Sequence, residues 1–176
     1  IQGRVDLLRD SNCKIASIDI ASHAGRNLIA TAKNITSDAS VGFLNLWENH
    51  AKISVLKDGF LYISRNTSIG TDSLSYVVAD NTDSHAVIDS LAIELQRTFD
   101  YYESYSRQAP VSKLAIITNT RAVALVDQLI EQRLGIECEV ISTEDFANMN
   151  IELTMNSADM TDSCLMAVGG ALRTEH

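Results

Sequence analysis

Residues 43–65 read FLNLWENHAKISVLKDGFLYISR, and this stretch narrows the possible folds most. Apolar side chains come in three short runs: Phe43, Leu44 and Leu46; Ile53, Val55 and Leu56; Phe60, Leu61 and Ile63. Asp58-Gly59 separates the last two. Asp-Gly between apolar runs is a strong hairpin signal, because a tight I′ turn needs positive φ at both central residues. Glu48-Asn49-His50 separates the first two in the same way. The pattern predicts three consecutive antiparallel strands over 42–47, 51–57 and 60–65.

The rest of the chain alternates. Residues 1–12 are polar and read as frayed, and 13–20 (CKIASIDI) alternate as a strand does. Ser22 is an N-cap candidate for a helix over 23–33, with Ala24, Leu28 and Ala32 on one face. Residues 34–40 are a turn-rich connector. After the meander, a short helix is expected around 74–79 and a long one over 85–106. Val87, Leu91, Leu95, Phe99 and Tyr102 form the stripe of the long helix, and Pro110 marks its stop. KLAIIT, 113–118, is nearly all apolar, as a strand covered on both faces must be. A helix over 121–134 follows, with Gly135 placed for a left-handed C-terminal residue. Residues 137–141 form a further strand, 151–155 a weak one, and 163–173 a last helix. Gly169 and Gly170 each cost that helix about 1 kcal/mol relative to Ala, and close approach to the sheet is the expected compensation.

A three-strand antiparallel meander followed by αβαβα is an α/β arrangement of the ribonuclease H-like order. That order serves nucleases and the halves of actin-like ATPases, so it does not fix function. A lone β-α unit cannot be a domain. Residues 1–40 therefore read as the last strand-helix unit of a first subdomain plus connector, and 41–176 as the ribonuclease H-like half. A nuclease needs carboxylates converging on metal. Here the strand positions are the amides Asn45 and Asn119, and Glu94 is better explained as a partner of Arg97 or Thr98 on the helix surface. A net charge of −9 without a basic patch disfavours nucleic acid. No apolar run approaches the roughly 20 residues of a membrane-spanning helix. Cys13, Cys138 and Cys164 lack a Cys-x-x-Cys pair and read as reduced, mostly buried thiols. No two of His23, His50, His85 and His176 share metal-ligand spacing, so no metal is expected.

Three segments together carry a resemblance: GFLYISR at 59–65, LQRTFDYYE at 95–103 and GGALR at 169–173. With them the chain resembles the PilM-like, actin-like proteins of type IV pilus assembly, and among these the MSHA type. The resemblance implies a non-enzymatic cytoplasmic scaffold, peripheral to the bacterial inner membrane, that binds a PilN-like bitopic membrane protein through a groove lying mainly in an absent first half. Relatives that bind ATP carry Asp-x-Gly at the first hairpin turn, where glycine admits phosphate to the backbone and aspartate helps hold the metal. Asn45 and Trp47 stand at those two places, and Thr118-Asn119-Thr120 where a second glycine pair would lie. Asn45, Trp47 and Asn119 thus mark a degenerate nucleotide site, with no cofactor and no catalytic residue expected. The alternative is a nucleotide-binding actin-like ATPase of pilus or secretion assembly that uses a divergent loop. Tyr101 and Tyr105, one turn apart beside the stripe, are the interface candidates. Loss of the first half also predicts self-association through 13–33 or the neighbouring sheet edge.

Overall fold

The computed structural model describes residues 2–15, 18, 20–31, 39–75, 82–118, 125–142 and 162–173. The elements are α1 (Gln2–Asp10), α2 (Ala21–Thr31), β1 (Ser40–Leu46), β2 (Ala51–Lys57), β3 (Phe60–Thr67), α3 (Thr71–Ser75), α4 (Thr82–Ser106), β4 (Val111–Ile117), α5 (Val126–Leu134), β5 (Glu137–Ile141) and α6 (Asp162–Ala171). The five strands make one sheet in the order β3-β2-β1-β4-β5. β1, β2 and β3 pair antiparallel, while β4 runs parallel to both β1 and β5. The expected meander and the two parallel strands are therefore present. Asp58 and Gly59 close the β2–β3 turn with φ of 51° and 75°, the paired positive values that the Asp-Gly signal implied.

Alternation along β1 explains the layers. Gly42, Leu44 and Leu46 face one side, and Val41, Phe43 and Asn45 face the other. All seven residues of β1 are buried, as a central strand covered on both faces must be. On the first face Leu44, Leu46, Ile53, Val55, Leu114 and Ile116 pack under α4 and α5. On the second face Val41, Phe43, Ala115, Ile117 and Ile141 pack under α2 and α6 with Leu28, Ile29 and Leu165. Burial of each large side chain contributes roughly 1.5–3 kcal/mol. The stripe of α4 lies in the first core as its spacing required, with Ile88, Leu91, Leu95, Phe99 and Tyr102 buried.

Several expectations change. Residues 2–10 form a helix, although none of its residues is buried and Leu7 and Leu8 stay exposed. Cys13, Lys14, Ile15, Ile18 and Ile20 are outside any strand, and Ile18 and Ile20 are exposed. The described residues of that segment lie outside the five-stranded sheet, and alternation alone does not make a sheet. α2 begins two residues earlier than expected, which leaves Ser22 buried inside it rather than capping it. Its apolar face is covered by β1 and α6. The described part of α5 begins at Val126, and residues 121–124 lie outside the described residues, as does the weak strand at 151–155. Gly135 is left-handed, with φ of 68°, and its N–H donates to the Glu131 carbonyl. Cys13 is exposed rather than buried.

The two glycines of α6 divide. A Cβ on Gly169 would strike the carbonyl of Ala24 and the Leu28 side chain, so its close approach is to α2 and not to the sheet. Asn27 Nδ2 donates to the Gly169 carbonyl at 2.9 Å, locking the same contact. A Cβ on Gly170 meets nothing within 4 Å. The two Gly→Ala changes should thus have opposite signs. We expect Gly169→Ala to destabilise the fold by about 1–3 kcal/mol through overpacking. We expect Gly170→Ala to stabilise it by up to about 1 kcal/mol through helix propensity. Urea denaturation of the two variants checks both.

Candidate functional site

The C-terminal end of β1, where the resemblance places the nucleotide, is built from three elements. β1 brings Asn45 opposite Lys52 of β2 and Ile117 of β4. Asn45 is buried on the α6 face, and its Nδ2 donates to Met166 Sδ at 3.0 Å. Among the described residues its Oδ1 has no hydrogen-bond partner. A buried amide carries no charge to attract a cation, and the thioether occupies its donor side.

Two residues on, Trp47 begins the β1–β2 turn. Its ring stacks on His50, with centroids 4.8 Å apart and planes 8° from parallel. His50 Nδ1 lies 2.8 Å from Asn49 Oδ1, so the turn residues order one another. The backbone of this turn is also covered from outside. Thr71 N–H donates to the Trp47 carbonyl and Asp72 N–H to the Glu48 carbonyl, both at 2.8 Å. Gly70 makes that contact possible: a Cβ there would lie 2.5 Å from Glu48 O and His50 N and 2.6 Å from Trp47 O. The start of α3 is therefore docked on the turn, with the Thr71 and Asp72 N–H groups on its carbonyls and Gly70 against its backbone. Gly70, His50 and Met166 were missed by sequence reading. Gly70 alone left a signal, as the lone glycine of the loop after β3.

Asn119 lies outside the described residues. Its neighbour Thr118 is buried, and the Thr118 N–H donates to the Ile141 carbonyl at 3.3 Å. Glu94 pairs with Arg97 at 3.3 Å, and its carbonyl accepts from Thr98 Oγ1 at 2.7 Å, as expected of a helix-surface group. Among the described residues no three His, Cys, Asp or Glu side chains are placed to hold a metal. No helix among them is long and apolar enough to cross a membrane.

The aromatic residues of α4 divide as their spacing predicted. Phe99 and Tyr102 are buried; the Tyr102 hydroxyl meets Ser40 Oγ at 2.9 Å, and its ring meets Tyr62 edge-on at 5.6 Å. Tyr101 and Tyr105 are 55% and 78% exposed and stack on each other, 5.9 Å apart and 5° from parallel. On β5, burial pushes the Cys138 thiol up to about 12, helped by the carboxylates of Glu131, Asp127 and Glu137. A thiol raised in this way is protonated near neutral pH and a poor nucleophile there.

Two outcomes follow from this geometry. Replacing Asn45 with Leu removes a buried, unpartnered oxygen, so the variant should be as stable as the parent or more stable by about 1 kcal/mol in urea denaturation. At pH 8, a thiol-specific reagent should label Cys13 and leave Cys138 unmodified while the protein is folded. Because the folded-state value for Cys138 is raised, the stability it contributes is present below pH 9.0 and is lost as pH rises toward 12.

No protein-family model and no curated protein sequence matches the chain. Its fold is similar to a solved structure described as the PilM-PilN type IV pilus biogenesis complex. The TM-score is 0.64 and the identity 16%, over 97% of this chain and 56% of that one. It is also similar to the ethanolamine utilization protein EutJ from Carboxydothermus hydrogenoformans, with a TM-score of 0.51 and 16% identity over 76% of this chain and 52% of that one. The chain thus spans about half the length of the solved structures it matches. At these identities the likeness establishes the fold alone, an α/β architecture shared with those two structures.

Proposed function

We propose that this chain is part of a non-enzymatic scaffold of a type IV, MSHA-like pilus assembly platform, closest in kind to the MshI branch of PilM-like proteins. In this reading residues 1–40 close a first subdomain, and 41–176 are the ribonuclease H-like second half of an actin-like protein. Its place is cytoplasmic, peripheral to the bacterial inner membrane, and its partner is a PilN-like bitopic membrane protein. The pilus part of the reading is supported by the likeness to the PilM-PilN complex. The non-enzymatic part rests on one observation: Gly70, Thr71 and Asp72 are docked on the β1–β2 turn where a nucleotide phosphate would have to sit. Asn45 beside that turn supplies no charge for a metal, and Trp47 adds an indole where the backbone would have to be bare. Tyr101 and Tyr105 are the residues of this half proposed to meet a partner protein.

The second reading, a nucleotide-binding actin-like ATPase, draws on the buried Asn45 Oδ1, an acceptor left without a donor. Calorimetric titration with Mg-ATP separates the two. The scaffold reading expects no heat of binding up to millimolar nucleotide and no rise in melting temperature. It also expects capture of the partner's N-terminal segment without nucleotide. An ATPase predicts micromolar binding and, at a hundredfold excess over Kd, about 2.7 kcal/mol of added stability. That result overturns the scaffold reading.

A further inference from the structure

The two edges of the sheet are not alike. β5 is five residues long and carries Glu137 and Glu139, both paired with Lys113 of β4. Its Cys138 N–H is taken by the Glu131 carboxylate at 3.3 Å. Charge and a side-chain cap thus blunt that edge in the usual way. β3 is eight residues long, and among the described residues only β2 hydrogen-bonds to its backbone. Phe60 and Tyr62 are 71% and 45% exposed along it. The one interruption is a bulge: Val55 pairs with Ile63 and Leu56 with Leu61, leaving Tyr62 as the extra residue.

Charge decides what such an edge accepts. Residues 51–67 hold Lys52, Lys57 and Arg65 against Asp58 alone, a net of +2 in a chain whose net is −9. Lys57 already pairs with Asp58, while Arg65 is exposed on the strand itself. A second copy pairing through β3 would set one basic hairpin against another. An acidic strand meets both the open hydrogen bonds and the cation.

We infer that the β3 edge accepts an extended acidic segment of a partner protein as a sixth strand of the sheet. Backbone hydrogen bonds supply the affinity, and alternate side chains supply the choice of sequence. A carboxylate on the added strand pairs with Arg65. Side chains on the α4 side of the added strand run toward Tyr101 and Tyr105. Asp89 of α4 pairs with Arg133 of α5, and at about 100° per residue the two tyrosines emerge on the opposite flank of the helix. Tyr102 on Tyr62 anchors that end of α4 over β3. This site does not depend on which assembly the chain serves.

The probe is a fluorescein-labelled, end-capped seven-residue peptide of alternating valine and glutamate, titrated in low salt against the whole chain. Its valine-lysine counterpart is the control. The glutamate peptide should bind at least tenfold tighter than the lysine peptide and weaken with added salt. Arg65→Glu should cost it at least tenfold, with Arg65→Ala intermediate and both variants melting as the parent does. Hydrogen exchange on the unaltered chain should show protection gained at 60–67 when the glutamate peptide is present. Equal binding of the two peptides, no binding of either, or protection gained elsewhere overturns the inference. So does protection of 60–67 that rises with protein concentration alone, because a second copy would then hold the edge.

Discussion

Two phenyl rings seated on two glycines hold the helical layers to the sheet. Phe43 of β1 packs on Gly25 of α2, where a Cβ would come within 2.8 Å of the ring. On the opposite face Phe99 of α4 packs on Gly42 of the same strand, where a Cβ would come within 2.7 Å. One strand thus joins both cores through neighbouring residues that face opposite ways. Phe to Ala at such a site costs about 3–5 kcal/mol, a large share of the 5–15 kcal/mol that keeps a domain folded. The placement of α2, α4 and everything that leans on them follows from this pair of contacts.

The candidate site inherits its shape from the same strand. β1 delivers Asn45 to the α6 face and ends in a turn that α3 closes from outside. The turn is held by Trp47 against His50 on one side and by two backbone hydrogen bonds on the other. These groups are engaged by the chain's own loop, through Gly70 and the start of α3. The exposed chemistry lies elsewhere, on the β3 edge and on the tyrosine flank of α4.

Much of this was legible in the residues. Asp58-Gly59 announced its turn because positive φ at two adjacent positions is a local requirement. The α4 stripe announced its core face, and its two remaining tyrosines their exposure, because 3.6-residue periodicity is local as well. Residues 13–20 misled for the same reason. Their alternation satisfied the local rule for a strand, yet none of the described residues of that segment lies in one. The Gly169-Gly170 pair was read as one feature, but only one of the two meets a neighbour.

The sequence by itself determined the meander, the order of the main strands and helices from β1 to β5, the buried centre of the sheet and the absence of charge at Asn45, since each depends on residues within a few positions of one another. The tertiary structure alone decided what covers each surface. Met166 reaches Asn45 across 121 residues and Gly169 reaches Asn27 across 142. Gly70 seals a turn two strands upstream of it. Contacts of that span leave no periodic trace, because either partner is locally free to be many things, and only packing brings the two together.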